Sequence, residues 1–279
     1  MDKGTRSRLE LPGGSVKPPS CLEKEAPMRK LSMALLAGVA LVGCGVDPEL
    51  ENQEIVSNLI EAGYRADDIK IVDGDVYVGN DAHVTHQASL EMLQSTGSAE
   101  QYRTNNLVGT GVTKICIVPT STFNSYANLS AGLDAAIANY NARGLRITFQ
   151  RGGTGCTATI AAKTTTGTGG SAGFPSGGLP YGTINIGTGL NSYSVGVNKH
   201  VITHELGHCI GFRHSDYYNR AISCGGSASN EGDAGVGAVL IPGTPSTAVS
   251  GGSVMNACFS SSSTGTWTSS DITALDYLY

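Results

Sequence analysis

His204-Glu205-Leu206-Gly207-His208-Cys209-Ile210-Gly211-Phe212-Arg213-His214 is the stretch that most restricts what this chain can fold into. On a helix, His204 and His208 lie one turn apart on the same face, about 6 Å apart along the axis. Two imidazoles at that spacing can reach one ion, and Glu205 stands beside them where a general base is needed. Gly211 can adopt the left-handed conformation that ends a helix, which a residue with a Cβ takes only at a cost. The chain then turns back and brings His214 under the same ion. On an unbroken helix His214 would lie about 240° around from His208, facing away. The spacing predicts His204, His208 and His214 as ligands of one catalytic zinc ion, with Glu205 as the base.

His200 sits one turn before His204 on the same face. His200 and His208 would be about 12 Å apart along the axis, too far for both to coordinate one ion at about 2.1 Å. A His200/His204 pair would be followed by Val201, which supplies no base. His200 is therefore read as a supporting histidine.

The HExxHxxGxxH spacing resembles the metzincin clan. HELGHCIGFRHSD, with the later Gly252-Ser253-Val254-Met255-Asn256, is similar to the bacterial dual-action HEIGH metallopeptidases of the myxobacterial protease B type, with Leu206 in place of their Ile. The resemblance spans residues 53–279 and is tightest over 173–255. It implies an α+β catalytic domain with a twisted mixed sheet, a backing helix, the zinc helix and a Met-turn at Met255, with Gly211 supporting the helix end. It also implies a zinc-dependent endopeptidase acting on polypeptides. Some metzincins carry a tyrosine two residues after this methionine; Ala257 occupies that place here, which leaves Tyr217 or Tyr218 as candidates to stabilise a transition state.

The remaining features are those of an exported chain. Charged residues make up 15%, glycine numbers 38, and the net charge of −5 comes with no basic block, so nucleic acid is not an expected partner. Residues 1–27 lack periodicity and read as an extension or a misassigned start. Met28-Arg29-Lys30 then leads into an apolar run over 31–42, too short for a permanent span of about 20 residues. Leu41-Val42-Gly43-Cys44 resembles a bacterial lipobox, so 28–43 is read as a lipoprotein signal and Cys44 as the lipidated residue. Ordinary cleavage near Gly43 without a lipid is the alternative. A bacterial cell-envelope location (an outer-membrane lipoprotein), or an extracellular one after processing, follows, and the protein is expected to be a monomer.

Residues 44–106 read as a small α+β unit. A helical repeat runs over 51–62, and strands at 69–72 and 76–78 flank Asp73-Gly74-Asp75 as a hairpin, with a further helix over 87–93. Ahead of a protease such a unit resembles a prosegment; a stalk or accessory domain is the other reading. Asp81, His83 or His86 could block the metal, and none of the three is assigned that role.

The catalytic region is 107–279. Strands are expected over 112–118, 145–150 and 158–161, a helix over 126–142, and a loop over 164–178. In the architecture that the resemblance implies, Gly182-Thr183-Ile184-Asn185-Ile186 is an edge strand on the cleft rim that pairs with extended substrate; an ordinary inner strand is the alternative. Ser269 or Ser270, with Asp271, is expected to cap a last helix. Seven cysteines and no C-x-x-C pair point to disulfides in an oxidising compartment, with Cys224–Cys258 the first choice and Cys209 a buried thiol. Two rivals to the peptidase remain: a surface lipoprotein that keeps the zinc fold without catalysis, and a zinc hydrolase of a non-peptide amide or ester.

Overall fold

The computed structural model describes residues 48–93, 101–231, 238–245 and 247–279. The expected extension, the signal segment and Cys44 lie outside them. The elements in chain order begin with α1 (Pro48–Glu61), β1 (Ile69–Val72), β2 (Asp75–Val78), β3 (Ala82–His83), α2 (His86–Met92) and β4 (Tyr102–Arg103). There follow β5 (Lys114–Pro119), α3 (Ser121–Ser125), α4 (Ala127–Asn141), β6 (Thr148–Arg151), β7 (Ala158–Thr165), β8 (Gly170–Gly173) and β9 (Thr183–Gly187). The last are α5 (Val195–Cys209), α6 (Ala221–Cys224), β10 (Val239–Leu240) and α7 (Ser269–Leu278).

The fold is α+β around a mixed sheet of order β1-β2-β3-β8-β9-β7-β5-β6. Strands β5, β6, β7 and β9 are parallel, and β8 runs antiparallel to β9. Ile115, Ile117, Ile160, Ile184 and Ile186 are buried from this parallel block, as expected for β-branched residues on a covered sheet. Leu129, Leu133, Ala136 and Tyr140 recur at helical spacing and give α4 its buried face against α5. Tyr140 donates its hydroxyl to Thr203 O at 2.9 Å, which ties this backing helix to the one that carries the histidines.

The N-terminal segment is not set apart from the rest. Its hairpin is as expected, with Asp73 and Gly74 both at positive φ. It then continues into the catalytic sheet, because β3 pairs in parallel with β8. Its apolar core of Ile55, Leu59, Val76, Val78, Val84 and Met92 also takes in Phe174 from beyond β8. The expected boundary between 106 and 107 thus falls inside one compact unit.

Three readings of the catalytic region need correction. Residues 183–187 form an inner strand between β7 and β8, not an edge, and Gly182 precedes it. The segment expected as a loop over 164–178 contains β8. Glycine-rich sequence hides a strand of this kind, because its side-chain space is taken by neighbouring groups. A Cβ on Gly170 would sit 2.3 Å from Glu205 Oε1. The last helix is capped by Thr268, whose side chain accepts from Asp271 N while Asp271 returns the bond, so the cap lies one residue before Ser269.

Disulfides join Cys116 to Cys156 and Cys224 to Cys258, and Cys209 is a buried free thiol. No helix among the described residues is long and apolar enough to cross a membrane.

Candidate metal centre

Ser194 caps α5 by accepting from Val197 N, and the helix is buried along nearly its whole length. It ends at Ile210 in a Schellman motif: Phe212 N donates to Gly207 O at 3.0 Å and Gly211 N to His208 O at 2.9 Å. Gly211 has φ +109, and a Cβ there would also meet Asn106 O at 2.8 Å. This turn swings His214 back toward the helix.

The three rings meet edge to edge. His204 Nε2 lies 3.0 Å from His208 Nε2 and 3.2 Å from His214 Nε2. Tetrahedral ligands at about 2.1 Å from one ion are about 3.4 Å apart, close to these separations. Each Nδ1 is tied to an oxygen: His204 to Val254 O at 2.9 Å, His208 to Phe212 O at 2.8 Å, His214 to Glu231 Oε1 at 2.7 Å. A ring that donates from Nδ1 carries its lone pair on Nε2. Three lone pairs turned on one point repel one another unless a cation sits there, so the donor set fits one zinc ion. Burial and the neighbouring rings of His204 and His214 hold His208 well below the usual imidazole range, which keeps it neutral.

Asp81, from the turn between β2 and β3, is the fourth member of the cluster; one ligand atom from each residue lies within 4.8 Å of all the others. Glu205 lines the adjoining cleft of about 200 Å³, together with Gly170, His200, Val201, Ala257 and Phe259. Burial, with the Asp81 carboxylate adding to it, pushes Glu205 well above the usual carboxylate range. A dication beside it acts in the opposite direction. Glu205 Oε2 is buried and has no hydrogen-bond partner among the described residues.

Met255 is buried against Gly207, the residue before His208, and its turn is held from several sides. Val254 N and Ser253 Oγ both donate to Asp271, and Ser215 N donates to Met255 O at 2.8 Å. Asp216 accepts from Ala257 N at 2.8 Å and from Ser223 Oγ at 2.6 Å, so the turn after His214 and the Met-turn share one buried carboxylate.

His200 stays outside the cluster, as expected. It packs against Phe259 on the cleft wall, and burial drives its pKa down to about 4. Tyr217 and Tyr218 do not line the cleft: the Tyr217 ring covers Arg213, and the Tyr218 hydroxyl accepts from Ala248 N at 2.9 Å. Neither is placed for a transition state. Asn185 Nδ2 donates to Ser171 Oγ, at 3.5 Å, across the β8–β9 pair.

Glu231 went unnoticed in the sequence, although it is 2% exposed and joins His214, Arg213 and Arg220. Its only signal is a carboxylate two residues before Asp233 in a Gly/Ser-rich stretch, with nothing periodic to mark it.

A helix-borne histidine pair, a third histidine after a glycine turn and a carboxylate in the same cleft define a metallopeptidase-type centre. The chain belongs to the dual-action HEIGH metallo-peptidase family, whose model matches residues 76–279. Among solved structures it is similar to two of myroilysin, at 21% and 17% identity with TM-scores of 0.29 and 0.26. Each alignment covers 43% of this chain, and 53% and 48% of the myroilysin chains. The chain thus spans about half the length of those it matches. No curated protein matches it.

Proposed function

We propose that this protein is a zinc-dependent endopeptidase in which His204, His208 and His214 hold the ion and Glu205 is the general base. The observation that carries the reading is the convergence of three Nε2 atoms, each with its Nδ1 bonded to oxygen, beside a buried carboxylate in an open cleft. Zinc, when bound, polarises the scissile carbonyl and acidifies the attacking water. Glu205 takes the proton of that water on its carboxylate and delivers it to the departing amine. The hydrogen bonds from Nδ1 to Val254 O, Phe212 O and Glu231 Oε1 keep the rings in one tautomer and orientation through the cycle.

Membership of a metallopeptidase family supports a polypeptide substrate over a non-peptide ester or amide. A pure binding protein has no use for Glu205 where it stands. Glu205→Gln should keep its zinc and lose peptide cleavage, and chelation should abolish cleavage in the wild type. Undiminished casein digestion by Glu205→Gln would remove the base from the mechanism, and hydrolysis of esters but not peptides would favour the rival hydrolase.

Export and anchoring through a lipid on Cys44 belong to the same proposal. The basic start and apolar run before Cys44 support it, as do the two disulfides, which persist in oxidising compartments. Absence of labelled palmitate from the mature protein would defeat the anchor.

A further inference from the structure

The turn joining β2 to β3 ends inside the metal centre, and its position is fixed from several directions. Val78 pairs with Ala82 across the turn, while Gly79 and Asn80 both take positive φ. On its other side β3 pairs in parallel with β8, Ala82 opposite Ala172 and His83 opposite Gly173, and Ala172 N donates to Asp81 O at 3.0 Å. His83 Nδ1 bonds the Tyr181 hydroxyl at 2.6 Å. A Cβ on Gly79 would lie 3.0 Å from Glu231 Cδ, so the turn rests on the carboxylate that holds His214. Further back, Tyr64 stacks on Arg213, 4.7 Å from its ring centre.

Held this way, Asp81 Oδ2 lies 3.1 Å from His214 Nε2 and 3.8 Å from His204 Nε2. Those are the separations of neighbouring ligands in a tetrahedral shell, and Oδ1 is buried with no hydrogen-bond partner among the described residues. Three imidazoles leave a fourth position open for water and substrate, whereas three imidazoles and a carboxylate close it. The same segment also lies along β8, where a Cβ on Gly170 would meet the Glu205 side chain, and so takes up an edge that an extended peptide could otherwise join.

We infer that Asp81 is the fourth ligand of the zinc ion and that residues 79–83 are a built-in occupant of the cleft, so that the chain in this form is latent. The inference rests on the metallopeptidase reading and adds to it the group that keeps the enzyme off. Activity then requires withdrawal of the β2–β3 turn, which takes the metal ligand and the strand on β8 away together.

The test uses the full chain with cobalt(II) in place of zinc, as wild type, Asp81→Ala and Asp81→Asn; the asparagine variant keeps the side-chain shape should the alanine variant fold poorly. The visible absorption of the bound cobalt is recorded, then acetohydroxamate is titrated in. The inference expects the cobalt bands to shift in both variants and hydroxamate to bind them about tenfold or more tighter than wild type, since the carboxylate no longer competes. Identical bands and equal hydroxamate affinity in all three proteins would overturn the inference while leaving the metal centre intact. Failure of all three to bind cobalt would overturn the inference together with the reading beneath it.

Discussion

The sulfur of Met255 lies against Gly207 of the zinc helix, so closely that a Cβ on residue 207 would stand 2.6 Å from it. The glycine between His204 and His208 is therefore a seat for the Met-turn, whose Val254 carbonyl in turn orients His204. Gly207→Ala should force the turn away, at about 1–3 kcal/mol of stability for an overpacked core site. Thermal melting should show the loss, and zinc competition should show weaker binding. Wild-type values for both would mean that the turn and the helix do not support one another.

Glu231 fixes His214 through its Nδ1, at 2.7 Å, and leaves Nε2 to face the other histidines. Glu231→Gln keeps the shape and removes the charge, so zinc affinity should fall by about 10- to 100-fold, the usual cost of losing such a partner. Chelator competition measures it. An unchanged affinity would show that the backbone alone positions His214.

Gly170 faces Glu205 Oε1 with no room for a methyl group. Gly170→Ala should push the carboxylate out of place, lowering kcat with zinc content unchanged. Full turnover with a normal KM would mean that β8 gives way instead.

The Cys224–Cys258 disulfide closes a loop with a sequence separation of 34 and ties the segment after His214 to the Met-turn. Chain entropy assigns such a crosslink about 3–4 kcal/mol. Cys258→Ser should lower the denaturation midpoint accordingly, and mild reductant should do the same to wild type.

Burial lowers the folded-state pKa of His200 from 6.5 to about 4. A histidine depressed in this way takes up its proton more readily when unfolded. Its contribution to stability is present above pH 6.5 and is lost as pH falls toward 4, on the order of 3 kcal/mol in all. His200→Gln should flatten that part of the stability profile between pH 6.5 and 4. A slope identical to wild type in that window would place the acid sensitivity elsewhere.

The meeting of His204, His208 and His214 was legible in the sequence because it is local: helical spacing and one glycine determine it within a single turn and its end. The hairpin at Asp73-Gly74, the backing helix and the pairing of Cys224 with Cys258 were legible for related reasons, since turn chemistry, periodicity and cysteine placement are written in short stretches. Strand β8 was not. Its glycines carry no β signal, and their reason is the Glu205 side chain on another element. The sequence therefore reads the neighbouring strand as the edge, since nothing in residues 182–186 tells how many strands lie beside them. Glu231 and Asp81 depend on contacts across 17 and 133 positions of chain. The sequence alone determined that three imidazoles could close on one ion. Only the tertiary structure decided which carboxylates reach them, because a bond between distant segments depends on how sheet, turn and helix pack, and no local pattern records that.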